Sequence, residues 1–211
     1  MIKHPLSPNG LTYVILDTFV LLPARLSDVL FDLMLEKLYF LLWTRDVERE
    51  FLRNWATVHT SAPRAGPRRL AAFQRATRHS HLIVGHHRAS YIARVPNRVD
   101  QQDKHLIAAA LVILDACQTE QKPCSHQVIL VSDNTRHLAV PETEQLGVRI
   151  HTAGRFLNRL FESEPTRCQR AITRSLADLK NPPYSKQQLI SALRLHKAHV
   201  LALGLEAGWK E

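Results

Sequence analysis

Cysteine is scarce in this chain, and so is any long uninterrupted apolar run. Its 211 residues hold three cysteines, Cys117, Cys124 and Cys168, an odd number without ligand-like spacing. They read as free thiols in a reducing compartment, which sets aside a disulfide framework. The most apolar stretch near the start, Tyr13 to Leu22, contains Asp17 and is too short to span a bilayer. Met1 to Gly10 is polar, carries two prolines and lacks the apolar core of a signal peptide. A soluble, cytoplasmic protein without a membrane partner is expected. No internal repeat or low-complexity tract is present. Acidic residues are the minority charge, 19 against 28 basic ones, for a net charge of +9. That balance favours a polyanionic partner, most simply nucleic acid.

What is there is ordinary globular material, 45% apolar and 22% charged, long enough for one domain with an appendage. Tyr13-Val14-Ile15-Leu16 is an apolar run that ends in Asp17. Such a run suits a strand of a parallel sheet covered on both faces, and ligands of those sheets bind beyond the carboxyl ends of the strands. Asp17 falls at that end, where it could equally cap the following helix. Leu26, Leu30, Leu33, Met34 and Leu38 then recur at helical spacing, and Tyr39 to Trp43 is a second strand. Thr44 is a good N-cap for a helix bearing Val47, Phe51 and Trp55 on one stripe. Asp46, Glu48 and Glu50 lie near its start, and acids there complement the helix dipole.

A Pro- and Gly-bearing loop from Ser61 leads into a basic segment with Arg64, Arg68, Arg69, Arg75 and Arg78. These could neutralise phosphates or form a solvated helix face. His79, His81, His86 and His87 follow without HExxH or Cys–His spacing and read as surface residues rather than a metal site. His81 to Val84 is a short strand candidate. Asp100 and Asp103 stand three apart before a strongly patterned helix, Leu106 to Leu114, and resemble a capping box. Lys122-Pro123 closes that region. Val128 to Val131 is a third buried strand, again ending in an acid, Asp133, flanked by Ser132 and Asn134. A short helix, Leu138 to Leu146, an edge strand, Gly147 to Ile150, and an amphipathic helix around Phe156 to Phe161 complete the pattern. In the tail, a helix ends before Asn181-Pro182-Pro183, and Ser185 with Gln188 opens a last one, Leu189 to Leu205.

Asp17, Glu50, Asp103 and Asp133 each fall at a strand end or in the opening turns of the helix after one. A three-layer α/β/α sandwich with a central, mainly parallel sheet could bring them to one edge. Clustered carboxylates call for a divalent cation, and oxygen donors select Mg²⁺ or Mn²⁺. On a basic protein that combination points to phosphodiester hydrolysis.

The chain also resembles the PIN-domain ribonucleases, in particular the toxin branch related to VapC. The resemblance rests on four segments in order: Val14 to Ala24 around Asp17, Trp43 to Phe51 around Glu50, Asp100 to Ala110 around Asp103, and Val131 to Asn134. The Asn181-Pro-Pro tail is similar to the C-terminal helices of one subgroup. The resemblance implies a PIN-like domain over 1–161 and a helical extension over 162–211. It implies catalytic roles for Asp17, Glu50, Asp103 and Asp133, with Glu48 and Asp46 close enough to compete for the role of Glu50. Mg²⁺ or Mn²⁺ would be held by Asp17, Asp103 and the Asp133/Asn134 pair. Strict alignment puts Ser132 on the family's threonine and Asn134 on its last ligand, and His137 replaces an acid. RNA as substrate, positioned by Arg64, Arg68, Arg69, Arg75 and Arg78, a cognate antitoxin and a homodimer are also implied. Two rivals remain: a PIN-like module that binds RNA or protein without cutting, and a phosphatase using Asp17 as nucleophile. The latter needs a second acid at the position occupied by Phe19.

Overall fold

A computed structural model describes residues 11–119, 126–178 and 184–209. Met1 to Gly10, Lys122-Pro123, Cys124 and Asn181-Pro182-Pro183 lie outside the described residues. The architecture is a three-layer α/β/α sandwich around a four-stranded sheet of order β2-β1-β3-β4, with additional C-terminal helices. It is consistent with a PIN-like fold.

The central strands are β1 (Thr12–Leu16) and β3 (Gln127–Val131), with β2 (Phe40–Leu42) and β4 (Val148–His151) at the edges, and all three pairings are parallel. Val14, Ile15, Leu16, Leu130 and Val131 are wholly buried. Cover on both faces is why these strands read as unbroken apolar runs rather than alternating ones. Arg149, in contrast, is exposed on the edge strand β4, where a charge also discourages pairing with another chain.

Between β1 and β2 the chain forms α1 (Thr18–Leu21) and α2 (Ala24–Leu35), with Pro23 as the hinge. Next comes α3 (Arg45–Val58), opened by Thr44, whose Oγ1 accepts the Val47 N–H at 3.3 Å. Its buried stripe is Val47, Phe51 and Trp55, and α4 (Gly66–Ala76) packs against it. A short α5 (Ala89–Ile92) precedes α6 (Lys104–Thr119), whose buried run Leu106 to Leu111 lies on β1, β3 and β4. After β3 come α7 (Val140–Gln145), β4 and α8 (Ala153–Ser163).

The tail forms α9 (Pro165–Asp178), α10 (Lys186–Leu195) and α11 (His199–Gly208), packed on α2 and α8. The capping box is made: Ser185 Oγ accepts the Gln188 N–H at 3.1 Å, and Gln188 Oε1 accepts the Ser185 N–H at 2.8 Å. The single helix expected from Leu189 to Leu205 is instead two. Lys197 adopts a left-handed conformation (φ 60°) between them, and the resulting bend buries Leu189 and Leu193 on one side and Leu201 and Leu205 on the other. The bend rests directly on Gly154. A β carbon there would stand 2.2 Å from the His196 carbonyl oxygen, so only glycine admits the contact.

The strand expected at His81 to Val84 shrinks to one parallel bridge between Trp43 and Leu82. His81 is drawn inward instead, stacked on Trp43 at 4.0 Å between ring centroids and 3.2 Å from Glu48, while Val84 is 68% exposed. Among the described residues, no helix is long and apolar enough to cross a membrane.

Candidate metal centre

Parallel pairing puts the carboxyl ends of β1 and β3 side by side. The Asp17 N–H bonds the Val131 carbonyl at 3.1 Å, and the Ser132 N–H bonds that of His151 at 3.0 Å. Asp17 therefore occupies the position the sequence suggests, just past β1 and 4% exposed. It is the N-cap residue of α1, yet its side chain makes no capping hydrogen bond. Its Oδ2 instead accepts the Ser132 hydroxyl at 2.6 Å, and Ser132 Oγ also accepts the Asn134 N–H at 3.0 Å. Burial pushes the Asp17 carboxyl up, the Ser132 bond only partly opposes this, and the charge of Glu50 adds to it.

The three acids of α3 have separate fates. Glu48 is spent inside the fold, accepting from Gln74 Nε2 at 2.8 Å and Trp43 Nε1 at 3.1 Å and lying against His81. Asp46 turns to His86 and His87, with Nε2 distances of 2.8 and 2.9 Å to one oxygen. Glu50 faces Asp17: its Oε2 accepts the Thr18 hydroxyl at 2.8 Å, and His105 Nε2 lies 3.6 Å from its Oε1. That second spacing is too long for a hydrogen bond. Burial pushes the Glu50 carboxyl up, but His105 and the Thr18 hydroxyl outweigh it and hold the group low.

Asp103, just before α6, completes the crowding. Its carboxyl is pushed up to about 6, by burial first and then by the charge of Asp17, with Glu50 adding and His137 and His105 opposing. Asp17, Glu50 and Asp103 thus share one electrostatic neighbourhood in which two of the three resist ionisation. Asp103 also belongs to a compact set with Asp100 and His137, whose ligand atoms lie within 4.8 Å of one another. The His137 imidazole contacts the Asp100 carboxylate directly, and the Asp100 N–H bonds the His137 carbonyl at 3.0 Å. The expected capping box of Asp100 and Asp103 is not the outcome, because α6 starts only at Lys104 and His137 takes the Asp100 carboxylate.

Asp133 does not join this group. Its Oδ1 accepts the Ala153 N–H at 2.9 Å, and His196 Nδ1 is 3.7 Å from its Oδ2. Burial raises its carboxyl, but His196, Ala153 and Lys197 together hold it below the usual carboxylate range. The acid expected as a fourth ligand is engaged in anchoring α8 and the tail, and the residue of this loop that touches Asp17 is Ser132. Asn134 contributes its backbone N–H to that loop.

The basic segment is likewise divided. Arg69 is tied into α2, its Nη2 donating to the Ala24 carbonyl (2.8 Å), Ser27 and Asp28. Arg64, Arg68 and Arg75 are exposed. Arg78 lines a cleft of about 290 Å³ along β2 with Leu35, Lys37 and Phe40, beside the strand rather than beyond its carboxyl end. The cations next to Glu50 are ones the sequence did not single out: Arg49, Arg53 and Lys104 line a cleft of about 510 Å³ with Glu50, His87 and His105. Nothing in their spacing marked them, because they come from two helices.

No family model, curated protein or solved structure matches this chain. Among the described residues, two Asp/His clusters, Asp46–His86–His87 and Asp100–Asp103–His137, have the geometry to chelate a metal ion.

Proposed function

We propose that this chain is a metal-dependent endoribonuclease of the PIN-like type, cutting RNA at the carboxyl edge of β1 and β3. The observation that carries the reading is the gathering of one buried carboxylate, Asp17, and two half-buried ones, Glu50 and Asp103, at that edge. Asp17 and Asp103 are pushed up partly by neighbouring carboxylates, and such an excess of negative charge fits a hard divalent cation. Asp17, Glu50 and Asp103 would hold Mg²⁺ or Mn²⁺, with Asp100 and His137 adjacent. When bound, the ion would supply Lewis-acid stabilisation of charge on the scissile phosphate and a lowered pKa for water. The chain's own residues orient the site: Ser132 fixes the Asp17 carboxylate, and Thr18 fixes Glu50. Arg49, Arg53 and Lys104 offer charge to the phosphates of a strand lying in the cleft, without reading its sequence. Phe19, 54% exposed beside Asp17, offers a face on which an unpaired base can stack.

The toxin role, a cognate antitoxin and a homodimer belong to the same proposal and rest on the sequence resemblance. The test is incubation of end-labelled single-stranded RNA with purified protein, with Mn²⁺ and with EDTA. Internal cleavage that needs Mn²⁺ and disappears in Asp17→Asn and Asp103→Asn is the expected result. A binding module is the second reading, favoured by the engagement of Asp133 with Ala153 and His196, which leaves only three of the four expected acids crowded together. RNA shifted on a gel but left intact, with Asp17→Asn behaving as wild type, would establish it instead.

A further inference from the structure

The turn at Gly85 places a different kind of donor set on the wall of the same cleft. Gly85 adopts φ 82°, a conformation that costs glycine little and other residues more, and the chain reverses there so that two consecutive imidazoles face back toward α3. The rings of His86 and His87 lie 4.0 Å apart between centroids. Both Nε2 atoms converge on Asp46 Oδ2, at 2.8 and 2.9 Å. The other carboxylate oxygen, Oδ1, is bonded by Arg49 Nη2 at 2.7 Å, which fixes the plane of the carboxylate and leaves Oδ2 to the histidines. The ligand atoms of all three residues lie within 4.8 Å of one another.

Two observations separate this from a surface ion pair. The His86 side chain is 5% exposed, and its Nδ1 is buried without a hydrogen-bond partner. Burying an imidazole with only one nitrogen satisfied is costly for a contact that returns no more than a hydrogen bond. Coordination through Nε2 would use the buried ring as a ligand already held in orientation and would place its proton on Nδ1. Asp46 and His87 both line the cleft that holds Glu50 and His105, so positions left open by three protein ligands would face the cleft.

We propose that Asp46, His86 and His87 form a second metal site, for Zn²⁺ or a similar borderline divalent ion. Two imidazole nitrogens and one carboxylate oxygen are the donor set of open zinc sites with three protein ligands, whereas Mg²⁺ takes oxygen donors. The site is chemically distinct from the oxygen-rich edge at Asp17 and does not depend on the nuclease reading. It pins the 81–88 segment to α3 and adds positive charge to one wall of the cleft.

The experiment is a Zn²⁺ titration of the EDTA-stripped full-length protein by calorimetry, with Co²⁺ absorption spectra as a readout of ligand type. Wild type is expected to bind Zn²⁺ and to give Co²⁺ d–d bands typical of nitrogen and oxygen donors. His87→Ala changes a side chain that is 62% exposed and leaves the core intact; it should weaken Zn²⁺ binding on the order of 100-fold, as loss of one of three ligands does. His86→Gln should do the same, while Asp133→Asn, which lies outside both clusters, should retain both affinity and spectrum. Absence of micromolar Zn²⁺ binding in wild type would overturn the proposal. So would binding that survives His87→Ala and His86→Gln, or binding lost in Asp103→Asn, which would assign the ion to Asp100, Asp103 and His137 instead. RNA cleavage is not read in this experiment, so its outcome and that of the nuclease test are independent.

Discussion

Asp17 and Asp133 begin alike, each following a buried apolar strand at the same edge of the sheet, and end in opposite electrostatic conditions. Asp17 is pushed up by burial first and then by the charge of Glu50; Asp133 is buried too, but His196, the Ala153 N–H and Lys197 hold it down. A carboxylate whose charge the fold already compensates is structural. One that is buried and set beside like charge is a candidate for a ligand. Strand-end position alone does not distinguish the two, and the partner each acid finds does.

The sharpest way to break this contrast is activity. Asp17→Asn and Asp103→Asn should each lower Mn²⁺-dependent RNA cleavage by ~1,000-fold or more, the order of loss seen when transition-state charge stabilisation is removed. Asp133→Asn should cost less than about tenfold, and single-turnover rates for the three variants decide the matter. Equal losses in all three would erase the distinction.

Ligand linkage comes next. Mn²⁺ at about 100 times its Kd should stabilise wild type by ~2.7 kcal/mol, read as a shift in Tm, and Asp133→Asn should keep most of that gain while Asp17→Asn and Asp103→Asn lose it. Without metal the order reverses. Asp133→Ala should cost about 1–2 kcal/mol by removing the acceptor of the Ala153 N–H, whereas Asp17→Asn should be near neutral in urea denaturation.

The smallest effect is in pH, and the two acids carry opposite signs. The folded pKa of Asp103 is raised to about 6. Its contribution to metal-free stability is therefore full below the unfolded value near 4 and lost as pH rises through about 6. The folded pKa of Asp133 is lowered, so its contribution is present above the ordinary carboxylate value and lost as pH falls below it. Urea titrations from pH 3 to 7.5 should show slopes of at most ~1.4 kcal/mol per pH unit for each group. Asp103→Asn should reduce the upper slope, which Asp17 and Asp32 share with it, and Asp133→Asn the lower one, which Glu48 and Glu50 share.

The sheet was legible because double-sided burial forces continuous apolar runs, and Val14 to Leu16 and Val128 to Val131 can be little else. Thr44 and the Ser185–Gln188 box were legible because capping is local. What escaped the sequence depends on closure through space. Asp46 and His86 are joined only by a glycine turn that no spacing pattern announces. Glu48 and Glu50 are two residues apart on one helix, and only tertiary packing sends the first to Gln74 and the second to Thr18. The ties of Arg69 to Ala24, Ser27 and Asp28 of α2 cross about forty residues of sequence and leave no spacing signal. The break at Lys197 was invisible because Leu189 to Leu205 keeps helical spacing across it.

Gly154 links the tail to this corner in time as well as in space. The bend between α10 and α11 settles on its bare α carbon, next to Ala153, whose N–H is held by Asp133. On a chain emerging from the ribosome, β3 and the start of α8 are made well before the bend that covers them. The Asp133 corner must then stay incomplete until His196 arrives, so two helices made later than the sheet close one side of it.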